Sequence, residues 1–159
     1  MIELSTLRSQ TLALRSAFVK KSATMADSAD VIPAGWNNHL RWHVGHLVLV
    51  PRLLTLGLAG RPIGVPEEYR SWFAKGTMPR SWGDAPVPPL DQLLGESTGL
   101  MEELFDELAT MDLNAPFATP YPTSAGVPLN NPAEALLFSF AHDGIHVGLL
   151  FALARALQK

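Results

Sequence analysis

The stretch FAHDGIHVGLL, residues 140–150, places two histidines and an aspartate in the most apolar part of the chain. Burying an imidazole without a partner costs roughly a few kcal/mol, so two of them one helical turn apart need something to bind. His142 and His146 are four residues apart, and this spacing brings both rings to one face of a helix. The stretch therefore predicts a core helix whose histidines meet either hydrogen-bond acceptors or a metal ion.

Four segments with helical periodicity, this stretch included, predict an all-α fold in which one four-helix-bundle domain takes up residues 1–159. They cover approximately residues 3–25, 39–58, 90–111 and 132–159. A chain of this length buries a sizeable core without disulfides, and it has no cysteine to form them. Long loops rich in Gly and Pro are expected between helices two and three and between helices three and four.

Capping residues and prolines predict the ends of the second and fourth helices. Asn37 or Asn38 can cap the second helix, and Asn131 can cap the fourth, which then has Pro132 at its first position. Pro51 lies inside the second helix, where it removes one backbone hydrogen bond. We expect it to kink that helix or to end its first half.

Composition and charge argue against several classes of protein. The net charge of −3 is too balanced for a nucleic-acid surface, and the densest basic cluster is Lys20 with Lys21. The N-terminal sequence lacks the pattern of a signal peptide, so we expect a cytoplasmic protein. Residues 136–157 are long enough to span a bilayer, but Asp143 and two histidines near the middle would be costly in lipid. A soluble bundle with no membrane partner is the better interpretation.

The apolar composition predicts a homodimer. The chain is 47% hydrophobic and has a positive mean hydropathy, and its aromatic loops need cover. The loop between helices two and three carries aromatic and arginine side chains, namely Tyr69, Arg70, Trp72, Phe73, Arg80 and Trp82. It is either a lid whose arginines bind a carboxylate or phosphate, or a segment that packs over the bundle end or at a dimer contact.

The other three histidines lie together on the second predicted helix. His39, His43 and His46 fall within about 60° of one another on a helical wheel, so this helix offers a third ligand to the pair on the fourth helix. The wheel does not decide which one. His39 is in the first turn, where a capping or surface role is expected. Gly45 costs about 1 kcal/mol relative to alanine inside a helix, which indicates that something approaches the backbone closely there.

The two histidine stretches resemble those of the DinB/YfiT superfamily, a group of four-helix-bundle metal-dependent enzymes. NNHLRWHVGHL, residues 37–47, resembles the family's W-H-x-G-H stretch, in which the second histidine is a ligand. AHDGIHVGLL, residues 141–150, resembles its H-E-x-x-H-x-G-Q stretch, in which both spaced histidines are ligands. The resemblance implies a metal site made of His46, His142 and His146.

Three positions near these ligands are notable. Asp143 stands where the family has glutamate, and Leu149 stands where it has glutamine. Asp143 points about 100° away from His142 on the helix, so we expect it to cap, to pair or to lie near the rim of the site. His43 matches the family pattern without being a ligand, and we expect it to pack beside the site, with proton transfer as the alternative.

A site of three imidazoles predicts a divalent transition metal as cofactor, since zinc, nickel, iron and copper all suit neutral histidine ligands. Three protein ligands leave a position for water or substrate, as in catalytic sites. The ion can activate water or accept a substrate thiolate or carbonyl oxygen. The resemblance implies a hydrolase or an S-transferase that uses a low-molecular-weight thiol on a small-molecule substrate. The alternative is a non-catalytic metal-binding or stress-associated bundle protein.

Overall fold

The computed structural model describes residues 3–158, and four long helices make up most of it. They are α1 (Leu4–Ala23), α2 (Leu40–Arg52), α4 (Leu90–Leu108) and α5 (Pro132–Ala156), and a short helix α3 (Glu68–Phe73) lies between α2 and α4. α1 packs against α4 and α5, and α2 packs against the same two helices. The predicted all-α four-helix bundle is confirmed.

α5 begins where its capping residues predict. The Asn131 side chain accepts a hydrogen bond from the backbone N–H of Glu134, and the Glu134 carboxylate accepts one from the backbone N–H of Asn130. Pro132 occupies the first helical position, where its missing N–H costs nothing. These local contacts fix the start of the helix that carries His142.

α2 begins one residue later than expected, and its cap is His39 rather than Asn37 or Asn38. The Nδ1 atom of His39 accepts a hydrogen bond from the backbone N–H of Trp42 at 3.2 Å, the bond that an asparagine cap would accept. His39 is buried, with its ring 5.1 Å from that of Trp82. The capping role predicted for His39 is therefore confirmed, and the asparagine caps were wrong.

The second helix continues past Pro51 as a wider, π-helical turn. α2 runs to Arg52 and continues into a π-helical turn, Leu53–Gly57. Because proline has no N–H, the Leu47 carbonyl one turn earlier lacks its usual helical donor. Arg15 of α1 donates to that carbonyl instead, from Nη1 at 2.8 Å. The proline thus creates an acceptor for a bond between two helices.

A buried ion pair joins the helices at the centre of the bundle. Nε and Nη2 of Arg15 donate to the two carboxylate oxygens of Asp143 on α5, at 2.9 Å each. Arg15 also donates to Oγ of Ser97 on α4 at 3.1 Å. Arg15 and Asp143 are 1% and 2% exposed, so Asp143 pairs in the core and does not lie at a rim.

Both long connections contain structure that periodicity does not predict. The first includes α3 and a single 3-10 turn, Pro79–Ser81, and the second forms an antiparallel hairpin of β1 (Tyr121–Pro122) and β2 (Pro128–Leu129). A helix of six residues and strands of two are too short to show a hydrophobic period. Residues of both connections line the same cavity as the histidines, namely residues 74–78 of the first and Tyr121, Thr123 and Ser124 of the second.

α5 also has an exposed apolar side. Leu137, Ile145 and Phe151 are between 53% and 61% exposed. Within residues 3–158, α5 is the helix that is long and apolar enough to cross a membrane by length and composition, a test that the core helix of a soluble protein also passes. Its inner side buries Asp143 and His146 against the other helices. The cytoplasmic location and the homodimer stay predictions.

Candidate metal centre

The structure brings His46 of α2 together with His142 and His146 of α5. One ring nitrogen from each lies within 4.8 Å of those of the other two, and Nε2 of His46 is 3.3 Å from Nε2 of His142. Two nitrogens at about 2.0–2.1 Å from a tetrahedral zinc ion are about 3.4 Å apart. The spacing of His46 and His142 therefore fits a transition-metal ion, and the nitrogen of His146 lies near enough to complete a group that could hold one.

The Phe73 carbonyl fixes which nitrogen of His46 is free. Nδ1 of His46 lies 2.6 Å from the carbonyl oxygen of Phe73, at the end of α3. A carbonyl only accepts hydrogen bonds, so Nδ1 carries the proton and Nε2 keeps its lone pair. Metal-binding histidines are commonly oriented by such a contact behind the ring.

Burial keeps the three imidazoles neutral. It lowers the pKa of His46 to about 4, against a smaller opposing effect of the Phe73 carbonyl. Burial also lowers the pKa of His142 to about 4, with further contributions from His46 and Arg15. The pKa of His146 is lowered most, by burial and then by the neighbouring histidines. At neutral pH each ring therefore has a lone pair to offer.

Gly45 lets α2 lie against Phe73. A Cβ atom at position 45 would come within 2.4 Å of the Phe73 ring, so the predicted close approach to this backbone is confirmed. The same contact holds the Phe73 carbonyl at hydrogen-bonding distance from His46. The glycine is therefore required by the packing behind a candidate ligand.

We expect Gly45→Ala to lower the free energy of unfolding by about 1–3 kcal/mol, because the new methyl group must displace Phe73. Urea denaturation of the metal-free protein measures this change. Gly95→Ala in α4 is the matched control, since nothing lies within 4 Å of its Cβ position. The free energy of unfolding of Gly95→Ala should rise by up to about 1 kcal/mol, because alanine has a higher helix propensity than glycine. Equal changes in the two variants would show that Phe73 imposes no constraint.

A cavity of about 650 Å³ opens over the three histidines, a volume typical of small-molecule sites. Its apolar wall comes mainly from α2, the π turn and α5, and is formed by Trp42, Val50, Leu53, Leu54, Phe138 and Leu149. Its polar wall comes largely from loops and consists of Asn37, Asn38, Lys75, Thr77, Tyr121, Thr123 and Ser124. A ligand that enters this cavity reaches the histidines directly.

The aromatic loop between α2 and α4 serves two purposes. Tyr69, Phe73 and Trp82 are buried in the core, which agrees with the packing interpretation. Residues 74–78 line the cavity, but Arg70 and Arg80 do not, so the cavity wall gives no support to the alternative in which these arginines bind a substrate anion. Lys75 is the basic side chain in the described wall of the cavity.

His43 lies beside the three-histidine group and lines the same cavity. Its Nδ1 atom is 3.2 Å from Nδ1 of His146, and its own Nε2 atom is buried without a hydrogen-bond partner. The prediction placed His43 beside the site, as a packing residue or as a proton carrier, and did not include this contact with His146. No sequence signal reveals it, because the two residues are 103 positions apart.

The fold and the site together give the class of this protein, a helical bundle with a candidate metal site beneath an open cavity. This chain belongs to the DinB superfamily, whose family model matches residues 8–150. The matched range includes all five histidines, so the resemblance inferred from the two motifs is confirmed. No curated protein matches the chain.

Proposed function

We propose that this DinB-superfamily protein is a metal-dependent enzyme whose His46, His142 and His146 hold one divalent ion, zinc, nickel or iron. The observation that carries the proposal is the set of three neutral imidazoles, converging from two helices beneath a cavity of about 650 Å³. The Phe73 carbonyl already holds His46 in the tautomer that a ligand needs. Three protein ligands would leave a coordination position of the ion for water or substrate.

The bound ion would supply a Lewis acid that activates a water or holds a thiolate. The cavity wall within the described residues contains histidines but no aspartate or glutamate, so no carboxylate is placed as a general base. A thiol has a much lower pKa than water, so on binding the ion it would release its proton to solvent more readily and would depend less on such a base. We therefore favour transfer of a low-molecular-weight thiol over hydrolysis, with Lys75 available for a carboxylate of the thiol or of its acceptor.

Metal analysis followed by activity assays tests this proposal. The protein, purified without chelator and then loaded with one metal at a time, should hold one ion per chain. Loaded protein is then assayed with small thiols and an electrophilic acceptor, and separately with ester substrates. Thiol-dependent turnover supports the transferase, and ester hydrolysis without thiol supports the hydrolase. One bound ion with neither activity favours a non-catalytic metal-binding protein.

Replacing His46, His142 or His146 by alanine should each weaken zinc binding at least about a hundredfold, or about 2.7 kcal/mol. Chelator should lower the melting temperature of the wild type but not of these variants, because an ion bound only to the folded chain stabilises it. Competition with a chromogenic chelator measures the affinities. His39→Asn is the control, since asparagine retains a capping side chain outside the site. Wild-type affinity in any of the three alanine variants would contradict the ligand assignment.

A further inference from the structure

We propose that His43 is a positioning residue of the metal centre, one that accepts the Nδ1 proton of His146 and so leaves Nε2 of His146 for the ion. This inference rests on the metal site proposed above. The two Nδ1 atoms are 3.2 Å apart, and the rings meet at an interplanar angle of 64° with centroids 5.2 Å apart. His43 and His146 are 8% and 6% exposed, so both rings are largely shielded from bulk water.

A ligand ring is commonly oriented by a hydrogen-bond partner of its second nitrogen when the first binds an ion, and His46 and His146 each have such a partner. For His46 the partner is the Phe73 carbonyl, and for His146 the atom at hydrogen-bonding distance is Nδ1 of His43. Neutral imidazole carries one proton, so a ring that binds an ion through Nε2 carries its proton on Nδ1. Nδ1 of His43 is the acceptor that this proton requires, provided that the proton of His43 lies on Nε2.

α2 therefore contributes two different functions from adjacent turns. His46 is a candidate ligand, and His43, three residues earlier, supports the candidate ligand on the opposite helix. His43 is not part of the group whose nitrogens all lie within 4.8 Å of one another. Its ring is held edge-on to Trp42, with centroids 5.2 Å apart, so its orientation is set by packing within α2.

The test compares His43→Leu with His43→Asn, two side chains of nearly equal size. Asn places its carbonyl oxygen near the position of the imidazole Nδ1 and accepts the proton of His146, whereas Leu cannot accept it. Zinc affinity is measured by competition with a chromogenic chelator, and urea denaturation of the metal-free variants checks that both fold. We expect His43→Leu to bind zinc ten- to a hundredfold more weakly than wild type, and His43→Asn to stay within about threefold of it.

Nitrogen-15 spectra of the zinc-loaded wild type give a second readout that does not depend on activity. They should show His146 protonated at Nδ1 and His43 unprotonated at Nδ1. The reverse assignment, or equal zinc affinity of the two variants, overturns the positioning role alone. Complete loss of stoichiometric zinc in His43→Leu would make His43 a ligand and also overturns it. A wild type that binds no divalent ion overturns the proposed function together with this inference.

Discussion

Replacing Arg15 by methionine should lower the free energy of unfolding by about 3–5 kcal/mol. The substitution leaves the Asp143 carboxylate buried and unpaired, and it also removes the donor to the Leu47 carbonyl, which Pro51 has left without a helical partner. Arg15 bonds to α2, α4 and α5 at once, so we expect loss of cooperativity along with stability. Urea denaturation followed by circular dichroism measures both.

Two variants test whether burial is the cause. Arg8→Met removes a pair with Asp106 whose side chains are 37% and 67% exposed, and it should cost less than about 1 kcal/mol. The double variant Arg15→Met with Asp143→Leu removes both buried charges and should recover much of the stability lost by the single variant. If Arg15→Met costs no more than Arg8→Met, the buried pair does not organise the bundle.

Acid should destabilise the metal-free protein strongly, by about 5–10 kcal/mol between pH 7 and pH 4. In the unfolded chain histidines take up protons near pH 6.5, whereas in the folded chain the pKa values of His43, His46 and His142 are about 4. Burial is the largest cause of all three shifts. The unfolded state therefore binds more protons in this window, and the stability present above pH 6.5 is lost as the pH falls towards 4.

Urea denaturation at half-unit steps of pH measures this dependence, with a slope of about 1.4 kcal/mol per pH unit for each additional proton bound by the unfolded chain. His43→Asn removes one of these titrating groups and should reduce the slope by about one proton. A stability that stays constant from pH 7 to pH 5 in wild type would show that the histidines are not held neutral by burial.

Features set within one helix could be predicted from the sequence. The His142 and His146 pair and the Asn131 cap depend on spacings of three or four residues, which helical geometry fixes. The candidate ligand on α2 could not be chosen this way, because His43 and His46 both face α5. The family motif favoured His46, and the structure places His46 in the three-histidine group.

Contacts between distant segments could not be predicted. Arg15 and Asp143 are 128 positions apart, and neither lies in a pattern that names the other. Asn37, Asn38 and His39 were all candidate caps of α2. His39 is the cap because it directly precedes the first helical residue and has the extended backbone conformation of a cap. The sequence could not indicate the Phe73 carbonyl as the partner of His46, because every residue carries a main-chain carbonyl.

The hydrogen bond between His46 and the Phe73 carbonyl has different consequences for mutations at positions 73 and 45. The acceptor behind His46 belongs to the main chain, so no substitution at position 73 deletes it, but the buried Phe73 ring that packs against Gly45 sets where this carbonyl lies. The constraint passes instead to Gly45, where any side chain would collide with the ring that positions the carbonyl. In a lineage of such proteins, the orientation of this histidine would be protected by a residue that has no side chain and never touches the ion.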